Sequence, residues 1–249
     1  MKPFYRLKSL LAGKQKTQPF IGFRHASGIG IRSKYYVMPL SRGASGFTRA
    51  LAEDAGLKLI ENKAESSDPA SIAVIAETFL PQLAQHRHTA GILLIAVGDE
   101  PTPVQEIAAK IQALGTPCEY LVITDFPDME MATSLALGTA QELKTMALSG
   151  IDLIEQGDLT IAYQEEPACL AELVALLEKN NFVVRVHQMS ALRKGEMPTL
   201  AMEGSHTILS FEAADQYPSG TLVTPVINVA SDSDFHRAIS NEFDLGISS

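Results

Sequence analysis

From residue 35 onward, short β-prone apolar runs alternate with longer segments whose apolar residues recur at helical spacing. Tyr35-Tyr36-Val37-Met38 reads as a strand, broken by Pro39 and the Ser41-Arg42-Gly43 turn. Ala44 to Ala55 reads as a helix stopped by Gly56, and Leu57 to Glu61 as a short strand. Ser67-Asp68-Pro69 opens the next helix with a capping side chain and a proline at the first helical position. That helix runs to about Gln85, with Ile72, Ile75, Ala76, Phe79 and Leu83 on one stripe.

Gly91 to Val97 shows no polar alternation. A strand of that kind is covered on both faces, which predicts a central parallel strand between helices. Thr102 to Leu114 is the next predicted helix, Cys118 to Ile123 the next strand, and Asp128 to about Leu148 a long helix. Gly150 to Gly157 marks a boundary, after which the pattern restarts. Leu159 to Tyr163, Phe182 to Val186, Thr207 to Phe211 and Val223 to Val229 read as strands, with a helix over Ala168 to Lys179. The expected fold class is α/β, with two Rossmann-like parallel-sheet units and flanking helices. The expected division is an N-terminal arm over 1–33, a first α/β domain over 34–150 and a smaller second one over 151–249.

A chain of 249 residues, 46% hydrophobic and 20% charged, has the composition of an ordinary globular protein. Its net charge of −9 argues against a nucleic-acid footprint and against an anionic membrane surface as partner. No apolar run approaches the ~20 residues needed to span a bilayer. Leu10-Leu11-Ala12 is too short for a signal sequence. Cys118 and Cys169 lie far apart with no metal or redox spacing, so no disulfide is expected and a reducing cytoplasm is the expected location.

Gly28-Ile29-Gly30 lacks the third glycine of a dinucleotide loop and precedes its strand rather than following it, so it reads as a turn into the sheet. His86 and His88 form a close pair at what reads as the exposed end of a helix, where histidines favourably meet the helix dipole. His25, His187, His206 and His236 are isolated and read as surface or packed residues. No nucleophile turn with an accompanying triad is present.

Several signposts occur in a telling order. Gly22, Arg24, Gly28, Gly30 and Arg32 precede the first strand; Gly98-Asp99-Glu100 closes the third; Pro225-Val226-Ile227-Asn228-Val229-Ala230 and Phe243-Asp244-Leu245-Gly246 end the chain. This succession, from about Gly22 onward, resembles the altronate/galactarate dehydratase family of sugar-acid hydro-lyases. The family's cysteine and histidine positions are not kept. Leu40-Ser41-Arg42-Gly43-Ala44 stands where the family shows Gly-Cys, Ile60-Glu61-Asn62-Lys63-Ala64-Glu65 falls where it shows Pro-His-x-x-Gly-Cys, and Asp99 stands at a thiol position.

The resemblance implies a sugar-acid ligand. Arg24 and Arg32 would hold its carboxylate, since a guanidinium grips a carboxylate bidentately. Arg32 could equally pair with an internal acid. Asp99 and Glu100 would supply the base and acid of a dehydration. The lost thiols leave no soft metal centre of the family kind and no metal ligand is named, although Asp99, Glu100, Asp125 and Asp128 could form an all-carboxylate divalent-cation site. These acids read as well as helix N-terminal residues that satisfy free amides. The expected protein is therefore a divergent dehydratase-like lyase acting on an aldonic or aldaric acid. The rival is a non-catalytic relative that binds a metabolite or supports a partner subunit, and a homo-oligomer is compatible with both.

Overall fold

The computed structural model describes residues 20–25, 27–61, 74–100, 102–148, 150–154, 160–164, 170–179, 183–187, 206–212, 221, 223–230 and 245–246. The chain divides into two compact units, Gly22–Asp152 and a second formed by Met1–Ile21 with Leu153–Ser249.

The first unit is built on strands β3 (Lys34–Pro39), β4 (Lys58–Leu59), β5 (Thr89–Ala96) and β6 (Cys118–Val122), all parallel in the order β4-β3-β5-β6. All eight residues of β5 are buried, as its unbroken apolar run requires of a strand covered on both faces. Helices α1 (Ser45–Ala55) and α4 (Met129–Leu148) cover one face, where Val37, Leu93, Ile95 and Leu121 meet Leu51, Ala136, Ala140 and Leu143. On the other face lie α2 (Ile75–Phe79 continuing into Leu80–Ala84) and α3 (Val104–Ala113), beside the alternate buried residues Tyr36, Met38, Ile92 and Leu94.

The first five residues of α2 form a π-helical stretch, with the Leu80 amide reaching back to the Ile75 carbonyl. Pro81 accounts for it, because its ring has no N–H and crowds the carbonyl four residues earlier, so the helix widens there. The Ser67-Asp68-Pro69 start expected for this helix lies outside the described residues. The strand expected over Leu57 to Glu61 shortens to two residues.

The segment read from sequence as an arm carries strands of its own. β1 (Phe20–His25) and β2 (Gly28–Gly30) form an antiparallel hairpin, and β7 (Ile151–Ile154) joins it in a three-stranded sheet of order β2-β1-β7. Gly28 turns the hairpin at φ 124°, and a side chain at Gly30 would collide with the Arg87 carbonyl. Gly28 therefore serves a turn, as the sequence reading has it, and Gly30 a close backbone approach that the sequence reading does not contain.

His86 and His88 correct the sequence reading, for both are buried rather than exposed. Residues 85–89 tuck beneath the start of β3, where the Lys34 amide donates to the His88 carbonyl at 2.8 Å and Thr89 Oγ1 donates to the Leu83 carbonyl at 2.6 Å. The His88 amide in turn donates to His86 Nδ1 at 3.2 Å.

The second unit repeats the arrangement. Strands β8 (Thr160–Gln164), β9 (Val183–His187), β10 (Thr207–Glu212), β11 (Val226–Ala230) and β12 (Leu245–Gly246) are all parallel in the order β12-β11-β10-β8-β9, and α5 (Leu170–Lys179) connects β8 to β9. In each unit the chain moves from the first strand to a neighbour on one side and then returns to the other side. Both are thus Rossmann-like, doubly wound sheets. No helix among the described residues is long and apolar enough to cross a membrane.

Candidate functional site

The parallel sheet of the first unit has two unlike edges, and the residues singled out by sequence divide between them. Asp99 and Glu100 follow β5 at the C-terminal edge. Arg32 precedes β3 at the N-terminal edge, and Arg24 lies beside Gly150 and Asp152 in the hairpin sheet. With Lys34 paired to Thr89 and Pro39 to Ile95, the two edges stand roughly 20 Å apart along the strands. The acid pair and Arg32 therefore do not converge on one cleft.

At the C-terminal edge, Glu100 is a loop staple. Its Oε1 accepts the Val97 amide at 2.6 Å and its Oε2 the Gly98 amide at 2.8 Å. Burial pushes the Glu100 carboxyl up, but the Val97, Gly98 and Glu100 amides and the nearby Ser41 hydroxyl outweigh it and hold the group below the usual carboxylate range. Ser41 Oγ lies beside this carboxylate without reaching ordinary hydrogen-bond geometry. The loop is further fixed by Thr124 Oγ1, which donates to the Val97 carbonyl at 2.5 Å. A carboxylate held ionised, with both oxygens on backbone amides, is a poor proton donor and a hindered base.

Asp99 and Asp125 are exposed, and Asp128 caps α4 by accepting the Met131 amide at 2.8 Å. The helix N-terminal reading thus holds for Asp128. Among the described residues no group of three or more His, Cys, Asp or Glu side chains could hold a metal ion.

Arg24 has an internal partner. Its Nε and Nη2 lie 3.0 and 2.5 Å from Asp152 Oδ2, and its amide donates to the Gly150 carbonyl at 2.6 Å, so it ties β1 to β7. Arg32 is different. It is exposed at the N-terminal edge, beside half-buried Lys34 at the start of β3 and exposed Lys58 at the start of β4. Lys58 pairs in register with Tyr36, which places it diagonally across from Lys34 on adjacent strands. Burial, then the charges of Lys58 and Arg32, lower the affinity of Lys34 for its proton. None of the three cations forms an ion pair among the described residues. The carbonyl end of α1 does not call on them either, because Lys144 Nζ donates to the Ala55 carbonyl.

Three like charges gathered with no acid paired to them among the described residues repel one another, and a bound anion relieves that repulsion. This Arg32-Lys34-Lys58 cluster is the candidate site. Sequence reasoning reached Arg32 and missed the two lysines. Each stands alone in sequence at the start of a strand, and only the β4-β3 pairing brings them together. No protein-family model matches the chain, and no curated protein matches it.

Proposed function

We propose that the protein binds an aldonic or aldaric acid by its carboxylate at the cluster of Arg32, Lys34 and Lys58, as a non-catalytic relative of the sugar-acid dehydratases. The observation that carries this reading is the gathering of three cations with no acidic partner among the described residues. The choice of a sugar acid among anions rests on the sequence resemblance. Arg24 is committed to Asp152 and takes no part. Asp99 and Glu100 lie at the far edge of the sheet, so they cannot act on a ligand held at Arg32.

The same reading gives the protein a cytoplasmic place as a metabolite binder, consistent with two widely spaced cysteines and the absence of a membrane-spanning helix among the described residues. Calorimetric titration of galactarate and gluconate into the wild type and Arg32→Ala tests it, alongside an assay for 2-keto product. The expected result is saturable binding that Arg32→Ala weakens by about tenfold, the size of one lost charge-assisted contact, with no product formed. Turnover that disappears in Glu100→Gln would restore the hydro-lyase reading in its place.

A further inference from the structure

Among the described residues the parallel sheet of the first unit ends at β6. That edge strand carries no lysine, proline or bulge, the usual devices that blunt an open edge. The Ile92 amide donates to the Pro117 carbonyl, so Pro117, Glu119 and Leu121 turn their backbone groups toward β5. Cys118, Tyr120 and Val122 turn theirs outward. Gln112 Nε2 donates to the Cys118 carbonyl at 2.6 Å, while Tyr120, in the middle of the strand, presents both an amide and a carbonyl at the edge. An antiparallel strand centred on a second Tyr120 would exchange both bonds with it.

The helix above this edge points to the same occupant. α4 packs over both β5 and β6, with Ala136, Ala140 and Leu143 toward the sheet. Lys144 reaches α1 at the Ala55 carbonyl, and Leu135, nine residues earlier, lies on the opposite side of the helix. Leu135 therefore looks away from α1 and over the β6 edge, where it is 51% exposed, and Met131 one turn earlier is 52% exposed. Gly91 lies against Leu143 Cδ2, and Tyr120 pairs with Leu94, three residues or ~10 Å further along β5. About seven residues back along α4 cover the same distance, so Leu135 stands level with Tyr120. A twofold axis beside Tyr120 sets β6 ~4.8 Å from its copy, and α4, above β5 and β6, then falls ~10 Å from its own copy. That is the spacing at which two helices pack, so strand pairing and helix packing demand one and the same placement, and a second copy of this chain satisfies both. Charge agrees, because Glu119 falls opposite Leu121 of the second copy rather than opposite its own counterpart. Met131, Leu135 and the 41% exposed Tyr120 supply roughly 500 Å² over two copies. The paired edges and the flanks of α4 add about as much, which reaches the ~1,000 Å² that a specific dimer needs.

We propose that two copies of this chain associate through β6 and α4 about a twofold axis beside Tyr120, joining their first-unit sheets into one. The dimer is independent of the cation cluster and of what that cluster binds. Sedimentation velocity of the full chain from about 1 to 100 µM tests it, with wild type beside Leu135→Lys. The wild type should pass from monomer to dimer over this range, and Leu135→Lys should raise the dissociation constant by at least about tenfold. A second variant reads the geometry: in a Cys169→Ser background, Tyr120→Cys should form an intermolecular disulfide on mild oxidation, because its Cα stands ~5.5 Å from its counterpart. Ala50→Cys, exposed on α1, should not. Circular dichroism checks that each variant folds, and the crosslink reports even where Leu135→Lys does not fold. A wild type that stays monomeric, an oligomer that folded Leu135→Lys leaves intact, or a dimer that Tyr120→Cys fails to crosslink would overturn the proposal.

Discussion

Glu100 Oε1 accepts the Val97 amide at 2.6 Å, three residues back along the same loop. With Oε2 on the Gly98 amide, the carboxylate closes the end of β5 on itself. An acid that reads in sequence as half of a catalytic pair therefore has a structural task. Its removal should be felt in stability before it is felt in chemistry.

Glu100→Gln leaves one amide without its acceptor and should lower the unfolding free energy by about 1 kcal/mol at neutral pH. The sign of the pH dependence follows from the depressed folded-state pKa. The stabilisation is complete above the unfolded value of about 4.3 and is lost as pH falls through the lower folded value. Urea unfolding of both proteins from pH 7 to pH 3 should show the wild type losing its advantage on acidification. A difference that stays constant over this range would mean that the charge is not what holds the loop.

The same loop depends on Gly98, which adopts φ 117°. A Cβ there would lie 2.6 Å from Thr124 Oγ1 and 3.1 Å from Val122 Cγ1. Gly98→Ala should cost about 1–3 kcal/mol, because conformation and space both oppose it. Gly138 in α4 is the control: nothing lies within 4 Å of an added Cβ. Gly138→Ala should stabilise by about 0.5–1 kcal/mol through helix propensity. Denaturant midpoints moving in opposite directions would check both.

Cys118 is fully buried, and burial followed by the neighbouring Glu119 charge pushes its thiol up to about 12. In a Cys169→Ser background, native protein at pH 8 should therefore resist thiol-specific labelling and react fully once unfolded. Rapid labelling of the native state would show that β6 opens readily.

The alternation of strands and helices was legible because burial on both faces writes an unbroken apolar run, as in Thr89–Ala96. The hairpin of β1 and β2 was not, since Phe20–His25 and Gly28–Gly30 are short and mix polar with apolar residues. The burial of His86 and His88 was hidden too, because it depends on the chain tucking beneath β3, a tertiary event with no local signature. Arg24 and Arg32 look alike in sequence, but Asp152, which distinguishes them, lies 128 residues from Arg24. Lys34 and Lys58 become neighbours only through strand order.

The central claim is that Arg32, Lys34 and Lys58 form an anion site whose repulsion is relieved by its ligand. The most direct measurement is the melting temperature of wild type and Lys58→Gln at low salt, each with and without galactarate. With one charge removed, Lys34 is relieved and the ligand-free variant should melt slightly higher, by the equivalent of a few tenths of a kcal/mol. Galactarate should raise the wild type clearly and the variant little. A ligand-induced rise of equal size in both proteins, or none in the wild type, would contradict the account.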